Sequence, residues 1–549
     1  MPDLYEERRA QMFPRLDESQ INRVRALATT RHVSAGEVVF DQGQSTSGIF
    51  VLLSGALEVV RPGLGTAELV TVHRAGEFTG EVSALAGRRS LVRGRMIEAG
   101  ELLVIPADAL RHLVQEDPDL SEILMRAFIL RRTGLIALGT GDAVLVGSLH
   151  SAGTLRLREF FTRNGHPYAY VDVDSDPSVQ ALLDRFRVRV EEVPIVICRG
   201  ERVLKNPTNA EVADCFGFNR ALDPTALRDL VVIGAGPAGL AAAVYASSEG
   251  LDVSVIEANA PGGQAGTSSK IENYLGFPTG ISGEALAGRA LAQALKFGAE
   301  VSVARTVSRF ACDSKTGYAI TLSDGSTLRA RAVVIASGVQ YRKLDVPGLA
   351  RFEGVGVYYG ATHIEAELCK GQEVVVVGGA NSAGQAAVFL SGRTRRVHVL
   401  VRRDGLTDTM SRYLIQRIRD TANITVHPHA EVVALEGGDR LESVQWRDPE
   451  GIERHAIGHL FSMTGAAPNT HWLEGCVAMD EKGFVRTGAD LPAEDRRVWT
   501  VARAPFMLET NRRGVFAVGD VRSGSVKRIA SAVGEGSVCI QMVQRALAE

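Results

Sequence analysis

Three glycines that follow an apolar strand are the residues of this chain with the most legible chemistry. In DLVVIGAGPAGLAAAVYASSEGLDVSVIE (229–257), Gly234, Gly236 and Gly239 stand at the spacing of a dinucleotide-binding turn, with Pro237 and Ala238 between the last two. The glycines permit a tight turn, close approach of backbone to a pyrophosphate and close packing of helix on strand, while the helix N-terminus faces the phosphates. Glu257 ends the second strand, where a carboxylate would take the adenosine ribose hydroxyls. A second unit follows in EVVVVGGANSAGQAAVFLSGRTRRVHVLVRRD (373–404), with Gly378, Ala380 and Ala383 at the turn and Asn381 and Ser382 beside them. Ala380 stands where the middle glycine is usual. Its second strand ends in Arg402 and Arg403 with no glutamate, which favours NADPH over NADH.

Each turn must be held by a strand–helix–strand unit, and the chain has ample length for such units. Its 549 residues suit three or four domains at about 150 residues each. Charged residues at 23% and hydrophobic residues at 45% are ordinary for a globular protein. The formal net charge of -3 and the absence of a dense Lys/Arg run argue against nucleic acid as a partner. No apolar stretch approaches the ~18 residues of a bilayer span, and the N-terminus lacks the apolar core of a signal peptide, so no membrane role is expected and a cytoplasmic location is. The six cysteines, Cys198, Cys215, Cys312, Cys369, Cys476 and Cys539, show no CxxC and no metal-ligand spacing. They read as buried thiols of a reducing compartment, and no metal site is expected.

From about Asp229 onward the chain resembles the thioredoxin reductase family of flavin oxidoreductases. The likeness rests on the two units above and on PGGQA (261–265), IENYLGFP (271–278), ASG (336–338), TGAAPNT (464–470) and GVFAVGDV (514–521). It implies FAD as cofactor, contacted by Gly263, Gln264, Asn273, Gly519, Asp520, Lys527, Arg528 and Ile529. It also implies a divided FAD domain, 228–346 and 474–549, around an NADPH domain at 347–473. The family's basic motif matches Arg402 and Arg403, with Thr407 replacing its third arginine. The redox Cys-x-x-Cys of the family is missing: GVGVYYGATHIEAELC (354–369) puts Gly360 and His363 at the two cysteine positions. His363 becomes a candidate proton donor near reduced flavin.

Residues 30–106 alternate short β-type runs with glycine turns, as in a small β-roll, and an amphipathic helical stretch follows. Through AGEVVFDQG, LSGALEVV and GEFTGEVSALAGRRS, residues 1–135 resemble a cyclic-nucleotide-binding domain with closing helices. The resemblance implies that Gly80, Glu81, Arg89 and Ser90 hold a cyclic nucleotide. The interval from Glu81 to Arg89 is about one residue shorter than usual, so a ligand-free docking or dimerisation module is the other reading. Residues 141–220 resemble a thioredoxin-like α/β domain with Val193-Pro194 at its cis-proline position and no CxxC.

The expected fold class is thus multidomain: a β-roll, a thioredoxin-like domain and two interleaved Rossmann-like dinucleotide-binding domains. The expected function is an NADPH-dependent flavin oxidoreductase that passes electrons to a redox protein or small-molecule acceptor, as a homodimer, under control of a cyclic nucleotide. A ferredoxin or flavodoxin-NADP reductase-like activity is the alternative within the class. Outside it stands a flavin redox sensor that signals NADPH supply to a partner through the N-terminal domains.

Overall fold

The computed structural model describes residues 8–44, 48–61, 67–81, 84–85, 89–137, 142–175, 188–189, 192–199, 202–312, 317–406, 410–499 and 501–549. Residues 176–187 of the middle segment and the Thr407 position lie outside them.

The N-terminal segment forms two antiparallel sheets, one of Thr29–Val33, Gly100–Pro106 and Gly48–Leu52, the other of Val38–Phe40, Arg93–Glu98, Ala56–Arg61 and Glu68–Arg74. Inward residues of both, such as Val51, Leu57, Met96 and Leu103, are fully buried. The helices Ala107–Glu116 and Pro118–Ala137 pack on the roll, led by Leu110 and Phe128.

The middle segment is a four-stranded sheet ordered Arg202–Lys205, Ile195–Cys198, Ala143–Gly147, Tyr168–Asp172. The last two strands are parallel and the other pairs antiparallel. Every residue of Ile195–Cys198 is buried, as a strand covered on both faces requires. The Val193-Pro194 peptide is cis. Helix Asn209–Phe216 starts at a capping box between Thr208 and Glu211 and ends at left-handed Gly217.

The third and largest part is built on parallel strands Glu300–Ser302, Val253–Ile256, Leu227–Ile233 and Thr327–Ile335. The last strand also pairs in parallel with Val515–Ala517, far along the chain. Between them lies a separate parallel sheet, Val357–Tyr358, Leu460–Ser462, Glu373–Val377, Arg396–Val401 and Ile424–Pro428. A two-stranded ribbon of Val339–Tyr341 and Ala466–Pro468 joins the two sheets where the chain crosses out and back. Ser337 and Asn469 fasten this crossing reciprocally at 2.8 and 2.9 Å.

The cysteines correct the sequence-based expectation of six thiols. Cys198 pairs with Cys215 and Cys312 with Cys476, their Cα atoms 6.8 and 5.7 Å apart. The chain separations of 17 and 164 residues hid this, because only the folded strands bring the partners together. Cys369 and Cys539 are free and buried, and burial pushes the Cys369 thiol up to about 12.

Candidate active site between the two dinucleotide folds

The first turn has the form its sequence predicts. Strand Leu227–Ile233 runs into Gly234, and helix Pro237–Ser248 begins at Gly236. Gly234 has φ +105°, and a side chain there would overlap the Ala336 carbonyl, so only glycine lets the crossing strand approach. A Cβ at Gly239 would collide with the Gly234 carbonyl, which fixes the close seat of helix on strand. Around Gly236 the backbone is open apart from Gly263, whose Cα would lie 3.9 Å from an added Cβ. This bare cradle at a helix N-terminus fits the pyrophosphate of FAD. Glu257 is buried, and its two carboxylate oxygens accept from the amides of Ala235 (2.7 Å) and Asn259 (2.9 Å). Burial pushes its carboxyl up, while these amides favour the ionised form.

The other residues that the resemblance assigned to FAD divide into two groups. Gly519 and Asp520 sit where Val515–Ala517 ends, facing helix Pro237–Ser248: an added Cβ on Gly519 would lie 2.8 Å from the Ala238 side chain. Burial raises the Asp520 carboxyl, and Lys527 donates to the Asp520 carbonyl at 2.6 Å. Ile529 opens the 20-residue helix Ile529–Ala548, with Arg528 at its N-cap. Gln264 is held toward the crossing by donation to the Val339 carbonyl at 2.7 Å. Asn273 instead lies exposed on a loop whose Leu275 is 93% exposed.

In the second unit, Gly378 has φ +142° and a Cβ there would meet the Met463 carbonyl at 2.7 Å. Helix Asn381–Ser391 starts at Ala380 with no side-chain cap, leaving its first amides for a ligand. Asn381 is occupied with positioning, its Oδ1 accepting from the Ser411 amide at 2.8 Å. Ala383 is buried under the turn, and Arg402 and Arg403 are exposed just beyond strand Arg396–Val401. A bare turn followed by two guanidiniums fits a dinucleotide with a 2′-phosphate.

A residue the sequence reading missed lies between the two units. Tyr341, on the joining ribbon, is engaged by Ser382 of the second unit and feels the charge of Asp520 of the first. Burial raises its phenol most, Asp520 pushes the same way and Ser382 opposes. Tyr413 repeats the pattern, in contact with Gln385 on its own side and within range of Glu272, Arg417 and Arg528. Arg417 ties the two units together with an ion pair to Glu272 at 2.6 Å. Only its place just past the ASG crossing could have flagged Tyr341.

His363 opens the short helix His363–Leu368. Its exposed ring lies edge-on to Phe389, and its Nδ1 is 3.2 Å from the Arg393 guanidinium, an arrangement that keeps that nitrogen an acceptor. Of this stretch it is Gly360 that meets the flavin-side loop, an added Cβ lying 3.7 Å from Thr267. The neighbouring face is covered. Helix Ala152–Arg163 lays Leu155 into a cluster with Tyr358, Ala361 and Ile364, and Arg158 pairs with Glu367 at 3.4 Å. Arg163 of the same helix donates to the Gly263 carbonyl at 2.8 Å, so the helix spans both dinucleotide folds.

In the N-terminal roll, Gly80, Glu81 and Ser90 line a cavity of about 80 Å³. Its walls are mainly apolar, with Phe40, Phe50, Val59 and Leu135, and Met12 and Phe13 also line it. Arg131 links the Met12 carbonyl (2.7 Å) to that of Gly80 (2.8 Å), and Arg132 lies 3.5 Å from Glu81. Arg89 is not among the lining residues; its stem packs on Gly217 of the middle segment.

Two dinucleotide-binding turns, each on its own parallel sheet, define an oxidoreductase, here joined to a β-roll. Residues 228–536 match the pyridine nucleotide-disulphide oxidoreductase model and residues 30–117 the cyclic nucleotide-binding domain model. The chain therefore belongs to the pyridine nucleotide-disulphide oxidoreductase family. It is 33% identical over 325 residues to the thioredoxin reductase of Bacillus subtilis (strain 168), covering 58% of this chain and 95% of that one. With the thioredoxin reductase of Mycolicibacterium smegmatis it shares 31% identity over 325 residues, 59% of this chain and 97% of that one. The crystal structure of Lactococcus lactis thioredoxin reductase superposes with a TM-score of 0.52 at 27% identity, covering 58% of this chain and 99% of that one. The cofactors of this family's thioredoxin reductases are FAD and NADPH.

Proposed function

We propose that the protein oxidises NADPH and delivers the electrons from FAD directly to an acceptor, a redox protein or a small quinone-like molecule, without a dithiol relay. The single observation that carries this reading is Tyr341, poised between Ser382 of one cradle and Asp520 of the other. When bound, FAD supplies the two-electron chemistry, accepting hydride from NADPH and returning electrons to the acceptor. The chain's own residues bind and orient. Arg402 and Arg403 take the 2′-phosphate, the open N-terminus of Asn381–Ser391 takes the pyrophosphate, and Tyr341 keeps the two sites in register. Lys527, Arg528 and the N-terminus of Ile529–Ala548 favour negative charge at the edge of the flavin ring.

The strand order, the parallel–antiparallel pattern and the cis Val193-Pro194 support a thioredoxin-like reading of the middle segment. Its helix Ala152–Arg163 covers Tyr358, Ala361 and Ile364 beside Gly360 and His363, so it acts as a permanent cover in place of a visiting redox partner. Gly80, Glu81 and Ser90 around one cavity support a cyclic-nucleotide role for the roll as a regulator. Homodimerisation is part of the proposal.

Anaerobic reduction of the FAD-loaded protein, followed at the flavin absorption band, tests the reading. Rapid reduction by NADPH, slower reduction by NADH, and turnover with ferricyanide or a quinone but not with a disulfide are expected. Failure of either nucleotide to reduce the flavin would sink it.

A further inference from the structure

Cys198 and Cys215 belong to a closed circuit of contacts that leaves the middle segment and returns to it. Cys198 ends strand Ile195–Cys198, Cys215 lies in the last turn of Asn209–Phe216, and both are more than nine-tenths buried. Arg199, next after Cys198, is a non-glycine residue at φ +54°, a costly conformation that surrounding contacts must hold. Its amide donates to the Asp142 carbonyl at 2.7 Å and its guanidinium to the Cys215 carbonyl at 3.1 Å. The same side chain lies on the roll: a Cβ on Gly43 would sit 2.8 Å from its Cδ. Gly43 donates to the Ser90 carbonyl at 2.8 Å, and the Ser90 amide donates back to Gln44 at 2.9 Å. Arg89, beside Ser90, then packs on Gly217, where an added Cβ would lie 2.7 Å from its Nε. Gly217 is two residues past Cys215, which closes the ring.

A branch of this circuit reaches the flavin side. Asp214, the residue before Cys215, pairs with Arg305 at 3.1 Å, and the Arg305 amide donates to the Glu257 carbonyl at 3.0 Å. Asn219 fastens the following turn to Val303 through two hydrogen bonds of 2.9 and 2.8 Å. The other pair, Cys312 with Cys476, lies within the first dinucleotide fold.

The geometry points to Cys198 and Cys215 as a peroxide-responsive dithiol–disulfide switch whose state sets where Arg89 of the roll is held. In the oxidised form the bond fastens the end of helix Asn209–Phe216 to the central strand, and Gly217 offers Arg89 its seat. In the reduced form that tether is gone, and Arg89 is free to turn toward the cavity lined by Gly80 and Ser90. The chemistry balances with hydrogen peroxide as oxidant. One thiolate, that of the less buried Cys215, attacks an oxygen of the peroxide and gives a sulfenic acid and, after proton uptake, water. The Cys198 thiol then displaces the hydroxyl, forming the disulfide and a second water. A small dithiol reverses it, becoming a disulfide as the two cysteines regain their hydrogens. The switch is independent of the acceptor, and the sequence-based role of Arg89 enters only in saying what the arginine is withheld from.

The experiment treats the full FAD-loaded protein with hydrogen peroxide or dithiothreitol, alkylates before and after reduction, and maps the cysteines by mass spectrometry. Hydrogen exchange is measured in parallel over 41–44, 89–92 and 209–218. A 198–215 crosslinked peptide after peroxide, opened by dithiothreitol, with slower exchange of all three segments in the oxidised form, is expected. Cys215→Ser and Cys198→Ala should each lose that exchange difference, and Cys312→Ser should keep it. Two free thiols at 198 and 215 after peroxide would overturn the switch. A crosslink with unchanged exchange at 41–44 and 89–92 would overturn its link to Arg89.

Discussion

Replacing Glu159 by glutamine should stabilise this protein at alkaline pH. Glu159 lies on the spanning helix Ala152–Arg163 and faces Glu365, which is 1% exposed, across the joint with the second dinucleotide fold. Burial, and then the Glu365 charge and a side-chain hydrogen bond with it, hold the Glu159 carboxyl up at about 8 against an ordinary 4.5, while Arg163 opposes. The folded state therefore keeps a proton that the unfolded chain releases. Stability from this group is complete below about 4.5 and is lost as pH rises through about 8. At about 1.4 kcal/mol for each tenfold change, the stability lost relative to acid pH is roughly 3 kcal/mol at neutral pH and about 5 kcal/mol above pH 9. The second figure is a ceiling, because the helix can part from its neighbour instead. Glutamine keeps a donor toward Glu365 and stays neutral, so Glu159→Gln should match the parent near pH 5 and melt progressively higher from pH 6 to 9. Thermal melts across that range test this. Parallel curves for the two proteins would refute the shared-proton contact.

Arg402→Ala and Arg403→Ala should each raise KM for NADPH about ten- to a hundredfold and leave that for NADH unchanged, as loss of a charge-assisted hydrogen bond requires; steady-state kinetics with both nucleotides reads this. Tyr341→Phe should retain FAD yet slow flavin reduction about fivefold, the scale of one hydrogen bond, in stopped-flow measurements. Burial lowers His398, His427 and His455, which crowd with Trp446 between two sheets. The unfolded chain takes up protons there first, so stability holds above about 6.5 and falls as pH drops below it. His455→Phe should melt with a shallower acid slope than the parent between pH 7 and 5.

What the sequence disclosed and what it hid follow from whether a constraint is local. A pyrophosphate turn needs glycine at fixed intervals within one strand–helix step, so Gly234, Gly236, Gly239 and Gly378 declared themselves. Glu257 was legible for the same reason, being one strand length away. Tyr341 acts only because a crossing ribbon carries it between two folds, and nothing adjacent in the chain marks that. Glu159 and Glu365 meet across more than two hundred residues, and the cysteine pairs likewise depend on strand order. Arg89 was read from a local cassette, yet its stem found a seat on Gly217, a position without a Cβ in another part of the molecule. For His363 the spacing gave a redox position, and only the fold shows that Arg393 and Phe389 hold its ring.

The covered face explains why restoring the cysteines should not restore disulfide chemistry. Gly360 has room for a side chain, the nearest atom to an added Cβ being Thr267 Cβ at 3.7 Å, and His363 is exposed at the start of its helix. Gly360→Cys with His363→Cys should therefore fold. A protein disulfide must still reach the pair, and Leu155 packs against Tyr358, Ala361 and Ile364 beside it, while Ala152 is so close to Gly354 that an added Cβ would lie 2.7 Å from it. Apolar contact of this kind contributes about 25 cal/mol for each Å² buried, and the Arg158–Glu367 and Arg163–Gly263 bonds flank it. The double-cysteine variant should remain inactive toward a thioredoxin disulfide while its NADPH-driven quinone reduction is unchanged. Adding Leu155→Glu, which forces a charge into the cluster, should expose the pair and let disulfide turnover appear. Turnover in the double variant alone would show that the helix does not cover this face in solution, and that loss of the cysteines, rather than the cover, redirected the electrons.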